Sequence, residues 1–170
     1  LKHDLVFNKE IKNFSLIKNK FDYILDCTNN TLINRFYKEF NYVLTVSLIY
    51  KKKKNKPAFP LTIMDGKLPS LYPYSDNKDF FTLTHSNYTH LGKFKDIKKL
   101  NKYKNKLTKK NIKNIIKKME KSILTYFPDF KKSFNYKNYF FSYKVLPNEK
   151  SDKRSMYIKK YQNIICCTSP

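Results

Sequence analysis

The stretch LTIMDGKLPSLYPYSDNKDFFTLTHSNYTHLGKF, residues 61–94, decides the fold class. Extended runs flank Asp65-Gly66, a dipeptide that tolerates the positive φ angles of a two-residue turn, so a β-hairpin is expected here with a further strand behind it. Both glycines of the chain, Gly66 and Gly92, fall in this stretch. Pro60, Pro69 and Pro73 lack a backbone donor, which confines them to edges, strand starts or bulges. The expected object is an irregular antiparallel sheet with exposed rims of the kind that border a site.

On the amino-terminal side, residues 42–50 alternate in two phases, with Tyr42, Leu44, Val46, Leu48 and Tyr50 on one side, and read as a strand packed on the core. Lys51 to Lys56 make a solvated loop. Residues 3–7, 14–17 and 21–27 read as a meander of short strands, and residues 32–40 as a short helical or irregular connection. The run FDYILDC is apolar at its centre, as in a strand covered on both faces. It ends at Thr28, Asn29, Asn30 and Thr31, small polar residues where open α/β sheets place ligand contacts, although from the residues alone an ordinary Asn-rich turn is the favoured reading.

On the carboxyl side, residues 93–106 read as a polar, lysine-rich connection. Thr108 is the expected N-cap of a helix over residues 109–127, where Ile112, Ile115, Ile116, Met119, Ile123 and Tyr126 recur at helical spacing and Pro128 ends it. Residues 136–145 and 156–167 complete the sheet, separated by a polar loop. The fold class is therefore α+β, a mixed, mainly antiparallel sheet covered by one long amphipathic helix.

Thirty-six basic residues against thirteen acidic ones give a formal charge of +23. Such a balance ordinarily points to phosphate-rich partners. Only Arg35 and Arg154 are arginines, however, and a lysine-only excess among Asn, Ile, Tyr and Phe also fits a bias of composition. The longest apolar run is far below the ~20 residues that a membrane span needs. Three cysteines, Cys27, Cys166 and Cys167, do not make a disulfide framework, so a reducing, cytoplasmic setting is expected. The first residue is not methionine and the last residues follow directly on a strand-like run, so fragment ends are expected at both termini.

No GxGxxG or Walker loop fits a chain with two glycines so far apart. No metal site is expected, because His85 and His90 lie on an extended segment at a spacing that turns them to opposite sides, and adjacent Cys166 and Cys167 lack ligand spacing. His85 shares its strand phase with Phe81 and Leu83, which favours a structural histidine over a catalytic one. Arg154, in the loop SDKRS, is a candidate for holding a carboxylate through two parallel hydrogen bonds; a local ion pair with Asp152 is its ordinary alternative.

With these segments assembled, the chain resembles the later part of FAD-dependent oxidoreductases of the D-amino-acid oxidase type. FDYILDCTNN resembles the buried strand that returns into the FAD-binding sheet, and FNYVLTVSLIY the first long strand of the substrate domain. LTIMDGKLPSLYPY with FFTLTHSNYT resembles the following strand, Asp-Gly turn and strands. SDKRSMYI with NIICCTSP resembles the stretch leading back to the flavin, with Ser155 in place of the family's proline. The resemblance implies three parts: residues 1–31 as a remnant of the flavin-binding α/β domain, 32–155 as the substrate domain, and 156–170 as a strand returning to the flavin domain. It also implies FAD as cofactor, held only with a missing amino-terminal half, and hydride transfer from a small-molecule substrate to flavin. Arg154, Tyr72 and His85 become substrate-side candidates, Thr28 and Asn29 flavin-edge candidates. Two other classes stand beside it: a basic nucleic-acid-binding module, and a folded remnant without activity.

Overall fold

The computed structural model describes residues 5–28, 40–56, 59–63, 66, 68–74, 79–148 and 157–168. Within them lie a 3-10 turn at Phe14–Leu16, then β1 (Ile24–Asp26), β2 (Phe40–Lys52), β3 (Leu61–Thr62), β4 (Pro69–Pro73), β5 (Phe80–His85) and β6 (His90–Phe94). There follow α1 (Ile97–Lys106), α2 (Lys109–Tyr126), α3 (Phe130–Ser133), β7 (Phe134–Pro147), β8 (Tyr157–Tyr161) and β9 (Ile164–Thr168). The class is α+β with mostly antiparallel sheets, as expected. The chain forms two units, Tyr42–Lys144 and a discontinuous one made of Leu1–Asn41 and Val145–Pro170.

In the continuous unit, β2 is the axis. Residues 48–51 of β2 pair with β5 and residues 42–45 with β6, antiparallel in both cases. Thr89 accepts from the Val46 N–H at 3.0 Å between these two ladders. β5 and β6 therefore act as one interrupted strand along a single edge of β2, with residues 86–89 looped out. The other edge takes β7: the Lys53 N–H donates to Ser133 at 2.8 Å at one end, and the Thr45 hydroxyl donates to the Ser142 carbonyl at 3.0 Å further along.

Register then sorts the side chains by face. Leu61 pairs with Leu71, Leu71 with Leu83 and Leu83 with Leu48, a row of leucines across four strands. α2 lies over this row with Met119 and Ile123 fully buried, joined by Val46, Tyr50, Phe81, Phe130 and Phe134. Burying each such side chain is worth about 1.5–3 kcal/mol. Thr108 caps α2 as expected, its hydroxyl accepting from the Asn111 N–H while the Asn111 side chain accepts from the Thr108 N–H at 2.8 Å.

In the discontinuous unit, β9 is central, parallel to β1 and antiparallel to β8. Its small core is Ile164 and Cys166 against Phe14 and Ile24.

Several expectations change. The run 157–168 joins a second sheet with β1 instead of completing the first, residues 5–7 form no strand, and the run FDYILDC is not covered on both faces, since Tyr23 and Leu25 are exposed. The two-residue turn at Asp65-Gly66 would pair Thr62 with Pro69, but Thr62 pairs with Ser70; Gly66 has φ 101°, and Asp65 lies outside the described residues. Residues 156–167 are not one strand. Tyr161 pairs with Ile164, so Gln162 and Asn163 form a two-residue turn with positive φ at Gln162 (54°), and the Asn163 amide ties it to the carbonyls of Lys18 (2.7 Å) and Phe21 (2.9 Å). Residues 14–17 form a 3-10 turn because Asn13 caps it, accepting from the Ser15 N–H. Residues 93–106 hold the end of β6 and all of α1, which Asp96 starts by accepting from the Lys98 N–H at 2.8 Å, with Leu100 fully buried. Lysine density hid that helix, since its apolar positions are few. The expected connection over residues 32–40 lies outside the described residues except at Phe40, which opens β2.

Candidate functional site

The face of the continuous unit's sheet opposite α2 carries hydroxyls in strand period. Thr62 pairs with Ser70 and Ser70 with Thr84; Tyr72 pairs with Thr82, and Thr82 with Ile49. Ser47 and Thr45 continue the same phase along β2, and Thr45 meets the Ser142 hydroxyl at 2.6 Å. The phenol of Tyr72, 46% exposed, hydrogen-bonds the Thr62 hydroxyl. A face of hydroxyls can both donate to and accept from a polar ligand.

His85 lies on the other side of the same sheet. It is buried and faces α2, where its Nε2 is 3.1 Å from Ser122 Oγ, while its Nδ1 accepts from the Asn87 N–H at 3.0 Å. Accepting at Nδ1 leaves the proton on Nε2, which donates to Ser122. The pair therefore runs opposite to a nucleophile and its base, in which the imidazole accepts from the hydroxyl. Burial lowers the His85 pKa below the ordinary imidazole value, favouring the neutral ring. The ring of Tyr88 lies 4.3 Å from it. Tyr72 and His85, both substrate-side candidates, thus point to opposite faces and do not line one site.

Thr28 belongs to the discontinuous unit, just past β1. Its N–H and hydroxyl both donate to Asp26 Oδ1, at 2.9 and 2.6 Å, closing the strand end. Asp26 is 2% exposed and its Oδ2 makes no hydrogen bond. Across the parallel ladder stands Cys166, whose thiol is pushed up to about 11, first by burial and then by the Asp26 carboxylate and Cys167. A pyrophosphate needs free N–H groups and close backbone approach. Here an acid occupies the strand end and the Thr28 N–H is already used, so these residues do not fit the pyrophosphate of a flavin dinucleotide. Arg154 and Asn29 lie outside the described residues.

The hydroxyl face was missed in the sequence, although its signal is there. Thr82 and Thr84, Ser70 and Tyr72, Thr45 and Ser47 each recur at every second position, the polar phase of strands whose apolar phase was read for the core. Among the described residues no three His, Cys, Asp or Glu side chains gather as a metal site, and no helix is long and apolar enough to cross a membrane. No protein-family model, curated protein or solved structure matches the chain.

Proposed function

We propose that the chain is the substrate-domain portion of a FAD-dependent oxidoreductase of the D-amino-acid oxidase type, working in a reducing, cytoplasmic setting. One observation carries it: the amino- and carboxyl-terminal stretches meet as the parallel pair β1 and β9, and an antiparallel sheet unit is inserted between them. An insertion of that kind suits a substrate domain set into a nucleotide-binding α/β layer, whose parallel strands need cover on both faces. The exposed Tyr23 just before β1, Leu25 on β1 and Ile158 on β8 are apolar side chains that such a layer would cover.

The cofactor would supply the redox step, hydride acceptance from a carbon bearing nitrogen or oxygen, and a nucleotide-binding half beyond the described residues would hold it. This chain would bind and orient a small-molecule substrate. By the family resemblance Tyr72 would contact the substrate, Arg154 would hold a substrate carboxylate, and Thr28 and Asn29 would be flavin-edge contacts. His85 would act by position, holding the β5 turn beneath α2.

The test is a fusion of the chain to a complete amino-terminal half from an oxidase of this type, assayed for bound flavin and for turnover of D-amino acids and of amine- or hydroxyl-bearing sugars. Retained flavin is expected. Arg154→Ala should raise the half-saturating substrate concentration at least about tenfold with flavin content unchanged, the scale of a lost charge-assisted hydrogen bond. A fusion that folds yet holds no flavin removes the assignment; an unchanged half-saturation point removes only the role of Arg154.

A further inference from the structure

We infer that the outer face of α2 is a docking surface for the phosphate backbone of duplex nucleic acid. Lys110, Lys113, Lys117 and Lys121 are all exposed and lie along one side of the helix at three- and four-residue intervals. Eleven residues of α-helix rise about 16 Å, the axial length of roughly five phosphates on one strand of a duplex. Two shallow concavities follow the stripe and share Lys117. One is lined by Asn111 and Asn114, amides able to hydrogen-bond phosphate oxygens; the other is lined by Lys121, Lys131 and Glu120.

Charge on this face is barely opposed. Between positions 97 and 126 the chain has eleven lysines and a single acid, Glu120. That acid is already engaged, by Lys131 at 2.9 Å and by the Tyr50 hydroxyl at 3.0 Å, and its carboxylate is mostly covered. The apolar side of α2 is spent on the core through Ile112, Met119 and Ile123. A helix bound in a lipid interface buries its apolar side in acyl chains. Here that side is unavailable, so only charge remains for recognition, and a polyphosphate backbone is the partner that charge alone suits. Lysine ammonium groups bind phosphate as point charges, and contacts to phosphate carry no sequence information. The expected binding is therefore independent of sequence and steeply dependent on salt. It stands apart from the oxidoreductase proposal, and either can fail alone.

The test compares two triple variants of equal charge change in the full chain. One is K110E/K113E/K117E; the other is K9E/K18E/K20E, at exposed lysines of the discontinuous unit. Binding of a labelled twenty-base-pair DNA is followed by anisotropy from about 50 to about 200 mM salt. The α2 variant should bind at least about tenfold more weakly at low salt, with a log–log salt slope shallower by about 3, close to one per phosphate contact removed. The control should stay within about threefold of the parent. Should the α2 variant lose helical circular dichroism, K110Q/K113Q/K117Q keeps helix propensity and should show the same ordering. Equal weakening by both triples, or none by either, overturns the proposal, as does α2-dependent binding to phosphatidylserine vesicles with duplex binding intact.

Discussion

At the residue scale, the chemistry of this chain turns on protonation states set by burial. His85 is held neutral by desolvation, with its Nδ1 lone pair used by Asn87 and its Nε2 proton by Ser122. Its folded pKa lies below the unfolded value near 6.5, so the unfolded chain binds the extra proton first as pH falls. Stability contributed by the neutral ring is therefore fully present above about pH 7 and declines below about 6.5 until the folded pKa is passed. Urea midpoints measured at half-unit steps from about pH 7.5 to about 5 should fall, and His85→Gln should flatten that slope; a parent slope retained in the variant would place the titrating group elsewhere. The thiols follow the same logic. Cys27 is exposed, whereas Cys166 is buried with its pKa raised to about 11, so at pH 8 Cys166 is almost wholly the unreactive thiol. Reaction with a chromogenic disulfide should show a fast phase that Cys27→Ser abolishes and Cys166→Ser leaves intact.

At the element scale, α2 is both the lid of the core and the most legible piece of the sequence. Its apolar spacing, the Thr108 cap and the Pro128 stop all point one way, and the helix ends one residue short of the expected boundary. Met119→Ala should cost about 2–5 kcal/mol, the range for opening a cavity at a fully buried position, read as a drop in the urea midpoint at constant slope. Thr108→Ala should cost about 1 kcal/mol, because the Asn111 N–H loses the hydroxyl that accepts from it. A loss from Thr108→Ala equal to that from Met119→Ala would mean that the helix start is packed more deeply than its exposure indicates. The hairpins were harder to read. Asp65-Gly66 has the better turn chemistry, yet the two-residue turn forms at Gln162-Asn163. There the Asn163 amide reaches the carbonyls of Lys18 and Phe21, partners distant in sequence that no local turn preference encodes. In β3 and β4 the register sets Leu61 opposite Leu71 and Leu71 opposite Leu83, one position away from the pairing the dipeptide alone would give.

At the scale of the whole molecule, a net charge of +23 is a standing repulsion that folding concentrates. Screening should relieve it, so the thermal midpoint should rise between about 20 and about 300 mM sodium chloride, over which the Debye length falls below about 10 Å. A midpoint that is flat or falls with salt would mean that attractive pairs dominate.

Periodicity in the chain by itself determined the α+β class, the long strand β2, the span and cap of α2, and the leucine and aromatic phases that make the core, because each rests on neighbours three, four or two positions apart. Only tertiary structure decided that β5 and β6 share one edge of β2, that the terminal stretches meet as a parallel pair, and that Tyr72 and His85 face opposite ways. Strand pairing joins residues far apart in sequence, and its register is chosen by the fit of whole apolar rows rather than by any short motif.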